Sequence, residues 1–431
     1  TTRAPSDAPG IVFSGERGAG VSLTSFTISI PPEQNRQVGQ VQWPARLPAD
    51  PSTDFATMGI TPLAGAGEAQ GWLKKYLPKS RRVLIFVHGV NNGFEDAVYR
   101  FAQIAYDSHA DAAPVLFTWP SRGSVFAYGF DRESANFSRD AFEETVWRIS
   151  QDPTVGDVTI MGHSMGAWLV MESLRQMAIR RGKLPSSIHN VILASPDIDV
   201  DVFRTQWQAL QSPAVRFTIF VSQADRALAL SRRLAGRVDR LGQIDVSSAT
   251  YYAPLEKAGI VVISLSGLRG GDALNHSKFA ESPEVVRLIG TRLVAGQVID
   301  DSDASLGERI GIAAMGVGSA VGGAAGAVIS APIVVLDPNT RRTYGEQVMQ
   351  VGRAAESVYH AVQEGRTPGG RQPACPGGLG CFRGGRGEEV AGAAAGVAHD
   401  QASGQGYLPF SQAAIDMGQE ELDGFLSHFV D

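Results

Sequence analysis

From residue 81 to a helix ending near 294, short apolar runs rich in β-branched residues alternate with longer stretches of helical character. This alternation constrains the fold more than any other feature. Successive strands joined by helical crossovers are forced to lie parallel. The strand candidates are 83–87, 115–118, 158–161, 191–194, 215–221 and 260–265. Their nearly unbroken apolar character suits strands covered on both faces. Helices are expected near 95–109, 135–150, 166–181 and 199–210. A last one starts at Ser282-Pro283-Glu284, which supplies an N-cap, a proline at the first helical position and an acid in the first turn. The expected architecture is α/β, a doubly wound and mostly parallel sheet.

A chain of 431 residues exceeds what one hydrophobic core usually holds. Residues 1–80 read as an N-terminal lead-in with short strands, one of them at 21–30 and closed by Pro31-Pro32. Residues 81–299 form the α/β domain, 300–364 a Gly/Ala-rich and helical extension, and 365–431 a Gly/Pro-rich tail expected to be flexible. Within the extension, 310–336 carries no charge and spaces Gly318, Gly322 and Gly326 four apart. As a helix it is long enough to span a bilayer, with the glycines as a close-packing face. Gly and Ala drive insertion weakly, however, and Pro332 sits near one end. Membrane association through 310–336 and a soluble Gly/Ala hairpin or partner contact therefore both stand as readings. Oligomeric state is not set by any feature of the sequence.

The net charge is −6 and no long basic run exists, so a nucleic-acid partner is not expected. The two cysteines, Cys375 and Cys381, lie in a Gly/Pro-rich segment and read equally as a disulfide loop or two free thiols. No second Cys or His pair sits at ligand spacing beside them, so no metal is expected. The polar, Pro-rich start at Thr1 holds no signal peptide. A cleaved export signal would account for it, and a periplasmic, cell-envelope or secreted location is the expectation, with the cytoplasm left open.

Chemistry is concentrated at Gly162-His163-Ser164-Met165-Gly166, placed between an apolar strand and an amphipathic stretch. A G-x-S-x-G run in that context is a nucleophile turn: the strand-to-helix corner is tight, and flanking glycines let neighbouring backbone approach. Ser164 would project above the sheet at a helix N-terminus, where developing negative charge is favoured. A serine needs a histidine to take its proton. Along the chain the order is nucleophile, then carboxylate, then histidine. His88, His109 and His163 come too early, His189 precedes any good acid, and His360, His399 and His428 lie beyond the regular region. His276 remains, in a loop after the last strand. Asp225 ends the penultimate strand and is the expected orienting acid. Asp197, Asp199 and Asp272 are its rivals, since loop aspartates more often cap or turn.

The run His88-Gly89-Val90-Asn91-Asn92-Gly93 follows the first strand of the α/β region. It is the expected oxyanion loop, with the amides of Val90 and Met165 as donors. Trp119, Phe126, Tyr128 and Phe130 follow the second strand and read either as an acyl or aryl pocket or as packing under a loop. The arginine-studded stretch 226–241 reads as a solvated amphipathic helix in preference to a cap over the site.

Four segments carry a family likeness: Ile85-Phe86-Val87-His88-Gly89-Val90-Asn91, Phe117-Thr118-Trp119-Pro120-Ser121, Asp131-Arg132-Glu133-Ser134-Ala135 and the Ser164 motif. The chain resembles an uncharacterised bacterial esterase/lipase-superfamily branch, of unknown function, of the α/β-hydrolases. The likeness extends over about 11–295, including Phe13-Ser14-Gly15-Glu16-Arg17 and Asp225-Arg226-Ala227-Leu228. It implies the α/β-hydrolase fold, carboxylic-ester hydrolysis and no cofactor. The substrate expected is a small-molecule or lipid ester. A lipase or phospholipase at a membrane surface is one alternative. A non-catalytic envelope scaffold is another, opposed by the complete set Ser164, Asp225 and His276.

Overall fold

The computed structural model describes residues 1–290 apart from 9, 47, 211–213 and 269–271, all within one compact unit. The expectations for 310–336, 340–364, the cysteine pair and the 365–431 tail lie outside the described residues.

The lead-in makes two small antiparallel pairs. Strand β1 (Arg3–Pro5) pairs with β2 (Phe13–Arg17), and β3 (Leu23–Ser29) with β4 (Ala56–Leu63). Helix α1 (Ala66–Tyr76) then leads into the regular alternation. This runs β5 (Arg82–Val87), α2 (Phe94–Asp107), β6 (Ala113–Phe117), α3 (Tyr128–Gln151), β7 (Asp157–His163), α4 (Met165–Arg181), β8 (Ile188–Ala194) and α5 (Val200–Leu210). It continues through β9 (Arg216–Val221), α6 (Arg226–Leu234), α7 (Ala249–Lys257), β10 (Val261–Ser264), α8 (Lys278–Glu281) and α9 (Pro283–Leu288).

Six strands form one sheet in the order β10-β9-β8-β7-β5-β6, every pair parallel. The chain steps from β5 outward to β6, crosses back to β5's other side for β7, then continues outward to β10. Where the order reverses, the connections leaving β5 and β7 diverge and open a crevice at their carboxyl ends. The His88-Gly89 loop and the Ser164 turn both leave the sheet at that point.

Alternation along β5 shows how the layers are built. Leu84 and Phe86 face Phe101 and Ile104 of α2 and Val285 and Leu288 of α9. Val83, Ile85 and Val87 face the opposite layer, with Phe142 and Val146 of α3, Leu169 and Leu174 of α4, and Phe203 of α5. Side chains at successive strand positions point to opposite faces, so a run apolar throughout must be covered twice. A third cluster seats Phe13 and Phe55 of the lead-in against Phe94, Val98 and Tyr99 of α2. Burying each such ring contributes about 1.5–3 kcal/mol, which ties the lead-in to the sheet domain.

Two expectations change. Helix α3 begins at Tyr128, several residues before the 135 expected, so Tyr128 and Phe130 belong to its first turn. The 226–241 stretch is not one solvated helix: α6 stops at Leu234, and Arg240 is buried with its Nε 3.3 Å from Asp197 Oδ1. An unpaired buried cation is too costly, so the ion pair draws Arg240 inward. Among the described residues no helix is long and apolar enough to cross a membrane.

Candidate active site

Ser164 stands between β7 and α4 with φ 53° and ψ −121°, a backbone conformation that side-chain-bearing residues rarely adopt. Such a residue stores about 1–3 kcal/mol of strain. Hydrogen bonds on both sides hold it there. Its amide donates to Ala194 O at 2.9 Å, and its carbonyl accepts from Ala167 N and Asp197 N, both at 3.1 Å. The corner also explains its glycines. A Cβ on Gly166 would fall 2.3 Å from His88 O, so α4 abuts the end of β5 as only glycine permits. A Cβ on Gly89 would fall 2.8 Å from Ser164 Cβ and 2.9 Å from His163 Nδ1. The His88-Gly89 backbone therefore lies directly against the serine. Met165 is the first residue of α4, so its amide has no carbonyl four residues back within the helix.

His276 and Asp225 meet from separate loops. His276 Nδ1 lies 2.7 Å from Asp225 Oδ2, and both residues are buried. Asp225 also caps α6, accepting from Leu228 N at 2.9 Å through Oδ1. Its two oxygens thus serve the helix and the histidine separately. Burial by itself pushes the His276 imidazole down. The charge and hydrogen bond of Asp225, with Asp272 and Asp197 beyond it, outweigh burial and leave it above 6.5. Since Nδ1–H donates to the carboxylate, Nε2 is the free, basic nitrogen. It is buried without a hydrogen-bond partner, so it is not bonded to Ser164 in this conformation. Catalytic hydrogen bonds are often long before substrate arrives.

The rival acids have other work. Asp272 Oδ1 accepts from the amides of His276, at 2.7 Å, and Ser277, at 2.9 Å, and so fixes the loop that carries the imidazole. Asp197 accepts from Ser231 Oγ at 2.5 Å and Tyr128 Oη at 2.9 Å and pairs with Arg240. Residue 163, the variable position beside the serine, was set aside in the sequence as too early for a base. Its Nε2 lies 3.3 Å from His276 O, and its ring packs 4.6 Å from both His276 and Phe279. It seats His276 from below. Burial holds its pKa well below 6.5, helped by the neighbouring His276 charge.

The expected pocket residues separate. Trp119 is wholly buried: its ring stacks on His88 at 4.9 Å and its Nε1–H donates to His88 O at 2.8 Å. It braces the loop after β5 and has no surface to offer a substrate, which corrects its placement as a pocket wall. Tyr128 is half-buried, with its hydroxyl taken up by Asp197 and Ser231. Phe126, at 65% exposed, presents an open ring, while Phe130 is partly buried with the Arg122 guanidinium 3.7 Å from its ring centroid. Val90 is partly buried in the loop against Ser164. Among the described residues no cluster of His, Cys, Asp and Glu is arranged to hold a metal ion.

Arg3 and Asp131 were missed as parts of this edge. Arg3 lies ahead of the lead-in segment that carries the family likeness, and its partners are mostly carbonyl oxygens, which leave no trace in sequence. Asp131 sits near the start of α3. Its Oδ2 accepts from Ser121 Oγ at 2.5 Å and its Oδ1 from Arg122 N at 3.0 Å. Burial raises its pKa to about 6 against those hydrogen bonds.

Solved structures that match the chain in part include an esterase from Pyrobaculum calidifontis (14% identity, 51% of this chain and 77% of that one, TM-score 0.30). Carboxyl esterase 2 of the mycorrhizal fungus Tuber melanosporum matches at 14% identity over 50% of this chain and 79% of that one, TM-score 0.29. A cutinase-like protein from Cryptococcus sp. matches at 15% identity over 50% and 96%, TM-score 0.27. No curated protein matches the chain. The model of the family described as alpha/beta hydrolase of unknown function (DUF900) matches residues 65–292, more than half of the chain, and the protein belongs to that family.

Proposed function

We propose that the protein is a serine hydrolase of carboxylic esters that works through an acyl-enzyme, with Ser164 as nucleophile, His276 as base and Asp225 as orienting acid. The reading is carried by the buried His276–Asp225 pair, 2.7 Å apart, on the same sheet edge as a strained serine. In the first half-reaction Ser164 Oγ attacks the ester carbonyl while His276 Nε2 takes its proton. Asp225 keeps the proton on Nδ1 and stabilises the imidazolium. The oxygen that turns negative is received by the amides of Val90 and Met165. Collapse expels the alcohol, which leaves with the proton from His276. In the second half water takes the alcohol's place, and the carboxylic acid is released. No step calls on a metal or cofactor, so EDTA should leave the rate unchanged.

The deciding experiment is fluorophosphonate labelling beside p-nitrophenyl ester turnover, with an ester series of increasing chain length to define the acyl preference. Ser164→Ala should abolish both signals in a folded protein. The change removes a single oxygen and leaves Cβ in place, so packing is kept. Wild-type-like turnover by that variant would overturn the assignment. An unlabelled, inactive wild type would point instead to a scaffold.

A further inference from the structure

The guanidinium of Arg3, outside the 65–292 span that defines the family, is buried at the junction of three backbone segments. Nη1 donates to Ser14 O at 3.2 Å and Ser121 O at 2.9 Å. Nη2 donates to Asn92 O at 2.8 Å and to His88 Nε2 at 3.3 Å. Each terminal nitrogen has two hydrogens, and each hydrogen has an acceptor. The planar fork fits all four at once, which a lysine ammonium cannot. Burial lowers the pKa of Arg3 to about 10 against the attraction of Asp131, Glu95 and Asp96, so it stays charged near neutrality.

Two of these contacts, those to His88 Nε2 and Asn92 O, bear on the loop beside the serine. His88 Nε2 receives hydrogens from Arg3 and from Trp119 N, the latter at 3.2 Å, so it carries none. The proton sits on Nδ1, which donates to Gly89 O at 2.8 Å. The Asn92 side chain holds Val90 O at 2.8 Å. Asn92 N donates to Ser121 Oγ at 3.3 Å, and Asn92 O is held by Arg3. The carbonyls of Gly89, Val90 and Asn92 are thus pinned one by one, and the orientation of each peptide is fixed on either side of Val90 N.

We propose that Arg3 is a positioning residue of the active site, fixing the 88–93 loop so that the Val90 amide is presented to the oxyanion. This rests on the reading of Ser164 as nucleophile and Val90 as donor. The lead-in is then a working part of the enzyme.

The test uses the full chain with Arg3→Lys, Arg3→Met and, for chemical rescue, Arg3→Ala. The readouts are p-nitrophenyl acetate kinetics, fluorophosphonate labelling and the affinity of a trifluoromethyl ketone, which mimics the tetrahedral intermediate. Misplacing one donor should lower kcat by about 100-fold. KM should move less than about threefold, because the contact strengthens only in the transition state. Ketone affinity should fall in step with kcat/KM. Added guanidinium should restore part of kcat to Arg3→Ala, a rescue that general loosening would not give.

Variants that keep kcat and ketone affinity per folded molecule within about twofold of wild type, while the wild type labels at Ser164, would overturn the proposal and leave the nucleophile standing. If Arg3→Met does not fold, Arg3→Lys and the guanidinium titration decide. A wild type that neither labels nor turns over ester overturns the catalytic reading and this proposal with it.

Discussion

His276 and His88 are both buried at the same edge of the sheet, yet their titrations are displaced in opposite directions. His276 faces the Asp225 carboxylate, which carries it above 6.5 despite burial. Burial lowers His88 to about 3, helped by the Arg3 cation, against weaker support from its backbone partners. Desolvation is common to both, so the sign of the nearest charge decides the outcome. The first can take a proton and give it back near neutrality. The second is locked neutral, with both ring nitrogens engaged in holding backbone. The same residue type thus becomes a candidate base in one place and a bracket in the other.

The comparison is broken most severely by Asp225→Asn, which gives His276 a neutral partner. Loss of tautomer control should lower kcat by about 10⁴-fold. Asparagine caps helices as well as aspartate, so α6 and the melting temperature should change little. Asp197→Asn and Asp272→Asn should cost less in kcat. If either proves the more damaging, the orienting acid is misassigned.

A smaller effect is expected from His88→Phe, which keeps a ring against Trp119 but leaves Gly89 O without its donor and Arg3 without an acceptor. Unsatisfied buried groups cost about 1–3 kcal/mol each, to be read as a shift of the urea midpoint at constant m-value. The pH dependence sharpens the point. Folded His88 refuses a proton that the unfolded chain accepts near 6.5. Wild-type stability should therefore decline as pH falls from 6.5 toward about 3, and this part of the slope should vanish in the variant. His276 contributes with the opposite sign. Its stabilisation is fully present below 6.5 and is lost as pH rises through its folded value.

The smallest effect is the position of the acidic limb of kcat/KM. The base must be neutral, so the rate should fall as pH drops through the folded His276 pKa, which lies above 6.5. A single ionisation should describe it. In Asp225→Asn the carboxylate charge is gone and burial remains, so the limb of the residual activity should move down. A limb that stays in place would mean that the titrating group is elsewhere.

The fold was legible because sheet strands buried on both faces advertise themselves. Every expected strand from 83–87 to 260–265 lies within a few residues of an observed one. The Ser164 corner was legible for a related reason: its glycines are dictated by backbone contacts, as the approach of Gly166 to His88 O shows. The polar brackets were not legible. Trp119 reads as an aromatic wall until its indole is found bonded to His88 O. Arg240 reads as one more surface arginine until Asp197 is found beside it. Arg3 serves carbonyl oxygens contributed by residues of any type, and nothing in sequence distinguishes such an arginine from a solvated one.

The way Arg3 is held also bears on the order in which the molecule can assemble. Its partners Asn92 and Ser121 stand 89 and 118 residues away along the chain, and Thr2 Oγ1 meets Ser138 Oγ across 136. Contacts so distant require closing very large loops and are slow to form. The first strand of the chain must wait until β5, β6 and the start of α3 have come together before it has a place to dock. The sheet can therefore consolidate before the loop over the serine is locked. During refolding, native-like helix content and tryptophan burial should precede the return of Ser164 reactivity, because the segment that carries Arg3 is among the last to be fixed.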